Sequence, residues 1–558
     1  MKFPVYQNLF LLVCLVSIVS CGGGGSSSSG GGGGGDVPDD GITLLDSLPA
    51  INSVSTMNAP HFALSHLATS GLTYSYSEPC SLTTSRLIIR GTSDIDDTSK
   101  NRLVDHLLTC DDDLTADSNQ TITLEDSASQ TLSLLFRSAA SVTPANERIN
   151  VVEQETLPLN SIGNITALTL LEGAVEEADL SPLVEALVNS LLNDIANDEL
   201  PNLFNPLSEY DVVTQTVLYE SIDPRGNVSQ DLSGLIVFPD TSGLSNFTPK
   251  NDIVLLTHST DLTPSDKSTS GPWYNLAIVL ASRGYLVVVP DNYGLGNTSA
   301  ETETYLQAKR TGINAVDLIS SAINSGNYDD VITPSAGAKN VAIAGYSQGG
   351  HSAVAAWQEI LHNRQGELKT TRLYTGAGPY NVYETVKGVI NYANGTCLMD
   401  DYCRYVNDEL VTAYAVERIL PPLLQYADTG LETADVITGT QLTNDFTAGF
   451  IGNLSAYNAL KALLQLSSYT NITNPGVAFS DSTLDVYFYH SNYDRLVARA
   501  NSDEFIDSLG GYVQGIYDVS DSCNSSNIQL LYANVSEVGV VHGVCGIIMI
   551  DDLLAEFD

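Results

Sequence analysis

Between Asp252 and His490 the chain keeps repeating one pattern, a short and nearly unbroken apolar run followed by a helix-forming stretch. "DIVLLTH" (252–258), "YLVVVPD" (285–291), "NVAIAGYS" (340–347), "RLYTGAGPY" (372–380) and "LDVYFYH" (484–490) are the runs. A strand with one wet face alternates apolar and polar residues, whereas a run that is apolar throughout is buried on both faces, as in a parallel sheet covered by helices. "NIQLLYANV" (527–535) reads as the last strand of the series. Upstream, "YDVVTQTVLY" (210–219) and "LSGLIVFPD" (232–240) flank the turn signal "DPRG" and read as an antiparallel hairpin. The intervening helices are "PWYNLAIVLASRG", closed by Gly284, "TYLQAKRTGINAVDLISSAIN", "QGGHSAVAAWQEILHN", "SDEFIDSLGG" and "GIIMIDDLLAEF". The expected body, residues 203–558, is an α/β fold: an eight-stranded, mostly parallel sheet with helices on both faces.

Residues 381–480 interrupt the alternation. This mainly helical insertion between the sixth and seventh strands is expected to cap the carboxyl edge of the sheet. Residues 41–200 read as a smaller N-terminal α+β region. It has strand-like runs ("SRLIIRG", "QTLSLLFRSA") and two helices, "DTSKNRLVDHLLTC" and one opening at Ser181-Pro182 with Leu183, Leu187 and Leu191 on one face. Asp94, Asp96 and Asp97 lack the glycine and spacing of a calcium loop and read as solvated acid, and no metal site is expected.

The first 40 residues point to the cell envelope. Lys2 precedes an apolar run from Leu9 to Val19, too short to span a bilayer and shaped like a signal peptide over residues 1–20. It ends in Ile18-Val19-Ser20-Cys21, a sequence resembling a bacterial lipobox, in which the Cys21 thiol would accept the lipid; an ordinary secretory signal holding a cysteine is the alternative. Residues 21–40 form a tether whose Gly22–Gly35 stretch is all Gly and Ser, a flexible coil spanning roughly 20 Å. A bacterial outer-membrane or cell-surface lipoprotein, held to the membrane by its N-terminus, is the expectation. Six further cysteines fall into local pairs, Cys80 with Cys110, Cys397 with Cys403 and Cys523 with Cys545, which suits disulfides in an oxidising compartment. A formal charge of -43, from 23 Lys+Arg against 66 Asp+Glu, repels phosphate backbones and argues against nucleic acid as a partner.

The chemistry centres on "VAIAGYSQGG" (341–350). With 44 glycines in 558 residues, about 0.3 GxSxG matches arise by accident, so context decides. Here a strand precedes the motif and a helix follows it, which are the requirements of a nucleophile elbow projecting Ser347. Serine needs a base and an orienting acid, which on such sheets follow in the order acid, then histidine. Of the eight histidines only His542 follows the seventh strand, on what reads as a loop in "VGVVHGVCG". Asp494 in "YFYHSNYDRLV" lies where the acid belongs, while Asp503, Glu504 and Asp507 read as the solvated face of the next helix. His490 and His351 read as structural. One oxyanion donor is expected from the backbone N–H of Gln348, and the second from "THST" (257–260), which includes His258, or from "PDNYG" (290–294). The Cys523–Cys545 pair straddles His542 and would pin it.

"SGLIVFP", "ASRGYLVVVPDNYGLG", "GYSQGG", "TGAGPY" and "YHSNYDRLV" occur in an order that resembles the secretory lipase family of α/β-hydrolases, the lipase A type with a large helical cap, over about 350 residues. The resemblance implies hydrolysis of carboxylic esters through an acyl-enzyme without a cofactor, and a contribution of Asp291 to the oxyanion hole, although Asn292 stands where family members often have an aromatic. Small-molecule or lipid esters are then the substrate class, with apolar runs in the cap such as "VERILPPLLQYA" favouring an apolar acyl group. A peptidase or polyester depolymerase on the same fold, and a catalytically inactive surface-binding lipoprotein, are the rival expectations.

Overall fold

The structure is a computed structural model. It describes strands between Ile51 and Ala139 and, from Arg148 onward, the chain apart from residues 160–170, 172–181 and several shorter stretches. The expected signal peptide, Cys21 and the expected tether lie outside the described residues. Among the described residues no helix is long and apolar enough to cross a membrane.

Nine strands form the main sheet: β1 (Ile149–Leu157), β2 (Val212–Ile222), β3 (Val228–Pro239), β4 (Asp252–Thr257), β5 (Val287–Pro290), β6 (Lys339–Tyr346), β7 (Leu368–Gly376), β8 (Asp481–Tyr489) and β9 (Val513–Asp518). Their spatial order is β9-β8-β7-β6-β4-β5-β3-β2-β1. The pairs from β5 to β9 are parallel and those from β1 through β3 to β5 antiparallel. The β2–β3 hairpin expected around "DPRG" is present, with Val228 opposite Ile222.

The unbroken apolar runs are explained by burial on both faces. In β4, Val254 and Leu256 enter one core cluster while Ile253 and Leu255 enter the other, and in β6 Ala342 and Ala344 oppose Val341 and Ile343 in the same way. Each of the Val, Leu and Ile side chains contributes roughly 1.5–3 kcal/mol on burial, so neither register nor face can slip. One face is covered by α1 (Pro182–Glu199), α2 (Gly271–Ser282), α7 (Ser526–Asn534) and α8 (Gly539–Glu556), the other by α3 (Ala308–Asn324), α4 (Gln348–Asn363) and α6 (Ala500–Leu509).

Three expectations are corrected. "NIQLLYANV" is helix α7: Ser525 caps it by accepting from the N–H of Ile528, and Ile528, Leu531 and Val535 are buried at helical spacing. The strand that closes the sheet is instead β9, an edge strand whose half-exposed residues carry little apolar signal. "RLVDHLLTC" is a strand, Arg102–Cys110, lying between His61–Leu67 and Cys80–Ile89 in a three-stranded antiparallel sheet, with Cys80 opposite Cys110 in register. Four more strands, from Ile51–Val54 to Thr131–Ala139, make a second small sheet, and the helix expected from Ser181-Pro182 is present as Pro182–Glu199.

Finally, the body begins before 203. β1 pairs with β2 at the sheet edge, and α1 buries Val188, Leu192, Ile195 and Ala196 in the main core while Leu187 is exposed. As an edge strand β1 is studded with exposed acids, and Lys267 lies 3.7 Å from both Glu153 and Glu155.

The cap follows β7. It opens with α5 (Val382–Ala393) and continues through a π-helix (Val411–Ile419) that runs into the helix Leu420–Tyr426, then the helices Asn444–Ile451 and Asn458–Leu466. Pro421 and Pro422 lack the N–H groups a regular helix would use there, which accounts for the wider preceding turn. The cap has its own core, including Val386, Phe446, Phe450 and Leu460, into which the body inserts Tyr305 and Leu306. Leu306 holds φ 55°, the left-handed region that a leucine seldom adopts. Cys397–Cys403 is a disulfide within the cap, and Cys523–Cys545 a disulfide within the body.

Candidate active site

The turn between β6 and α4 is shaped by sterics. Ser347 holds φ 59° and ψ -124°, a strained backbone for a residue with a Cβ, and it is the point where strand becomes helix. The two motif glycines are there because nothing larger fits. A Cβ on Gly345 would lie 2.1 Å from Thr257 Oγ1 and 2.2 Å from Gly349 O, and one on Gly349 would lie 2.2 Å from Thr257 O. Hydrogen bonds then hold the turn: the Ser347 N–H donates to Gly376 O (2.8 Å), and the Thr257 hydroxyl donates to Gly349 O (2.7 Å). Ser259 Oγ donates to Tyr346 O (3.0 Å) and accepts from Trp273 Nε1 (3.1 Å).

His542 is not on a loop, as the sequence suggested, but in the first turn of α8. Its position is referenced to Ser347 through Tyr346. The Tyr346 hydroxyl donates to His542 O (2.7 Å), and the two rings lie 5.0 Å apart. The Tyr346 ring in turn rests on Gly546, whose Cβ would come within 3.0 Å of it.

Asp494 lies on the turn after β8, and its Oδ2 is 2.7 Å from His542 Nδ1. Its Oδ1 accepts from the N–H groups of Leu496 (2.8 Å) and Val497 (3.0 Å). Burial alone would raise this carboxyl; the charge and hydrogen bonding of His542 and His490 outweigh it and hold Asp494 well below the usual carboxylate range. An ionised Asp494 only accepts, so the Nδ1 facing it carries the proton and Nε2 is left with a lone pair. That Nε2 is buried and has no hydrogen-bond partner.

The remaining histidines of the region are engaged elsewhere. His490 bonds Ser502 Oγ (2.7 Å) and Val497 O (3.0 Å), with its Nε2 3.4 Å from Asp494. His351, fully buried, bonds Ser467 O (2.8 Å), and burial pushes its imidazole down to about 4. Asp503 and Asp507 are exposed, Asp503 pairing with Arg499, while Glu504 accepts from Asn381.

Gln348 opens α4, where a helix has no internal acceptor for its first N–H groups and carries a partial positive charge. Its side chain is tied down, Nε2 donating to Glu303 Oε1, which also accepts from Asn292 Nδ2 (3.2 Å). His258 follows β4 with Nδ1 bonded to Ser259 O (2.9 Å) and Nε2 buried without a partner. Asp291 is buried with both oxygens engaged: Oδ2 accepts from Ser233 Oγ (2.5 Å) and Oδ1 from the Ser265 N–H (3.0 Å). Burial raises its carboxyl, and those bonds offset part of the rise. Asp291 thus serves to hold loops together, since Ser233 Oγ also accepts from the Asn297 N–H (2.9 Å), and it offers no free donor.

Ser259, Trp273, Tyr346 and Glu303 support this site; Ser259 lies in "THST" and Tyr346 in "GYSQGG", but the sequence assigns neither a role, and Trp273 and Glu303 stand in no spaced motif. Among the described residues no cluster of His, Cys, Asp and Glu is arranged to hold a metal ion.

No protein-family model matches the chain, and no curated protein matches it by sequence. Solved structures are similar to it at low identity. A ligand-bound form of the rice cell wall degrading esterase LipA from Xanthomonas oryzae is 17% identical, with TM-score 0.42, covering 70% of this chain and 96% of that one. Candida antarctica lipase A is 13% identical, with TM-score 0.37, covering 66% and 76%. The acylaminoacyl peptidase of Pyrococcus horikoshii is 13% identical, with TM-score 0.29, covering 59% and 39%. The sheet order, the helices on both faces and the strained serine between β6 and α4 make the body an α/β-hydrolase in fold.

Proposed function

We propose that the chain is a serine hydrolase of carboxylic esters. The observation that carries this is the buried Asp494–His542 pair, whose unpartnered Nε2 belongs to the helix packed on Tyr346, next to the strained Ser347. Ser347 Oγ attacks the ester carbonyl while His542 Nε2 takes its proton, and Asp494 holds the imidazole orientation and offsets its positive charge. The tetrahedral oxyanion forms against the N–H of Gln348 at the positive end of α4. His542 returns the proton to the leaving alcohol, and the acyl group stays on Ser347. Water, deprotonated by the same nitrogen, then releases the acid. The backbone of Ser347 is strained before substrate arrives, so its orientation is set by folding and not by binding.

The test is covalent. A fluorophosphonate should label the wild type at one residue, and Ser347→Ala should abolish both labelling and p-nitrophenyl ester hydrolysis. A labelled Ser347→Ala protein, or a wild type inert to both reagents, would remove the proposal. Acyl esters of increasing chain length would then set the substrate class, with hydrolysis of peptide substrates in preference to esters pointing to the peptidase alternative.

A further inference from the structure

Asp494 and His542 are 48 residues apart and come from different elements, a turn after β8 and the start of α8. Something must bring them to hydrogen-bond distance. The segment 519–524, between β9 and α7, is bonded to neighbours of Asp494 on one side and to α8 on the other. On the acid side, the Val519 N–H donates to Phe488 O (3.0 Å), and Ser520 Oγ accepts from the His490 N–H (3.0 Å) and from Arg499 Nη1 (2.9 Å). Asn524 Oδ1 accepts from the Asn492 N–H (2.6 Å) and from Ser491 Oγ (3.3 Å). Asn524 is itself braced, its Nδ2 donating to Ser520 O (2.8 Å) and its N–H to Asp521 O (3.0 Å). On the base side, the adjacent Cys523 is joined by a disulfide to Cys545, which lies three residues beyond His542 on α8, less than one turn along; both cysteines are fully buried.

We infer that residues 519–524 form a clamp with one polar jaw, Asn524, and one covalent jaw, Cys523–Cys545, and that Asn524 is a positioning residue for the acid–base pair. The contacts close a ring: Asp494, its neighbours Ser491 and Asn492, Asn524, Cys523, Cys545, His542 and back to Asp494. Opening the ring at either jaw lets the turn and the helix drift relative to one another while each keeps its own fold. Arg495 secures the far side of the acid turn by donating from Nη1 to Val535 O (2.9 Å) and from Nη2 to Tyr532 O (3.2 Å), so loss of Asn524 loosens the turn without releasing it. This clamp rests on the Ser347–Asp494–His542 reading above.

The experiment compares the full-length wild type with Asn524→Ala and Asn524→Asp, and with the wild type reduced under native conditions. The primary readout is independent of turnover: the far-downfield proton resonance of the His542 Nδ1–H bonded to Asp494. Asn524→Ala and reduction should each weaken or shift that resonance. Asn524→Ala should lower kcat about tenfold to a hundredfold, as for a reacting group misplaced by up to about 1 Å, with KM within about twofold. Asn524→Asp keeps an acceptor for the Asn492 N–H but loses the donor to Ser520 O, and should recover part of both signals. A resonance and kcat unchanged in Asn524→Ala would overturn the clamp, as would equal losses in both variants that track a fall in Tm. A wild type that shows the resonance and its loss in Asn524→Ala but hydrolyses no ester leaves the clamp standing and removes the ester reading.

Discussion

Replacing Asp494 by Asn changes one atom and should nearly abolish the proposed hydrolysis, for a reason visible in the hydrogen bonds around it. Oδ1 accepts two backbone N–H groups, from Leu496 and Val497, and Oδ2 faces His542 Nδ1 at 2.7 Å. An asparagine must present its single carbonyl to one side. Turning the amide NH2 toward Leu496 and Val497 would strand two N–H donors, at about 1–3 kcal/mol each. The carbonyl therefore stays on the backbone side and the NH2 faces His542. A donor there requires Nδ1 to accept, which moves the imidazole proton to Nε2 and removes the lone pair that would deprotonate Ser347. The expected loss is roughly 10³- to 10⁴-fold in kcat/KM, or about 4–5.5 kcal/mol of transition-state stabilisation. The assay is p-nitrophenyl butyrate hydrolysis and fluorophosphonate labelling rate, beside Tm to show that the fold persists. Activity within tenfold of wild type in a folded Asp494→Asn protein would refute the tautomer argument and move the acid elsewhere.

Two further perturbations probe what surrounds the nucleophile. Gly349→Ala should gain about 1 kcal/mol of helix propensity yet lose about 3 kcal/mol to the clash with the backbone of Thr257 and His258, whose oxygens would lie 2.2 and 2.8 Å from the new carbon. Calorimetry should show a lower Tm together with lower turnover; a variant as stable and active as wild type would mean that the elbow is looser than its contacts indicate. His351 titrates at about 4 in the native state against its ordinary value of 6.5, so between those values the unfolded chain binds a proton that the native protein refuses. Native stability is therefore present above pH 6.5 and falls as pH drops toward 4, by about 3 kcal/mol from this residue. His351→Gln can still donate to Ser467 O but does not titrate, and its Tm should fall less steeply over that window. Parallel curves for the two proteins would exclude the effect.

The strands from β4 to β8 were legible because burial on both faces leaves an unbroken apolar run, and the helices because their glycine, proline and apolar positions recur at helical spacing. What misled was local ambiguity. "NIQLLYANV" is apolar enough for a strand and periodic enough for a helix, and β9 is too exposed to announce itself. β1 lay hidden for the same reason: an edge strand with one partner can be polar almost throughout.

By itself the sequence determined the sheet's two-sided core and the serine at a strand-to-helix junction, and it singled out Asp494 and His542 as the candidate acid and base, because each follows from residue type and chain order. Only the tertiary structure decided that His542 begins a helix, that its Nε2 stays unpartnered while Nδ1 meets Asp494 at 2.7 Å, and that Asp291 binds serines instead of offering a donor. These depend on distances between residues tens to hundreds of positions apart, which packing sets. The same holds for Tyr346, Ser259 and Asn524. Tyr346 and Ser259 stand inside motifs, but no motif specifies their partners, and the importance of all three comes from what the folded chain places against them.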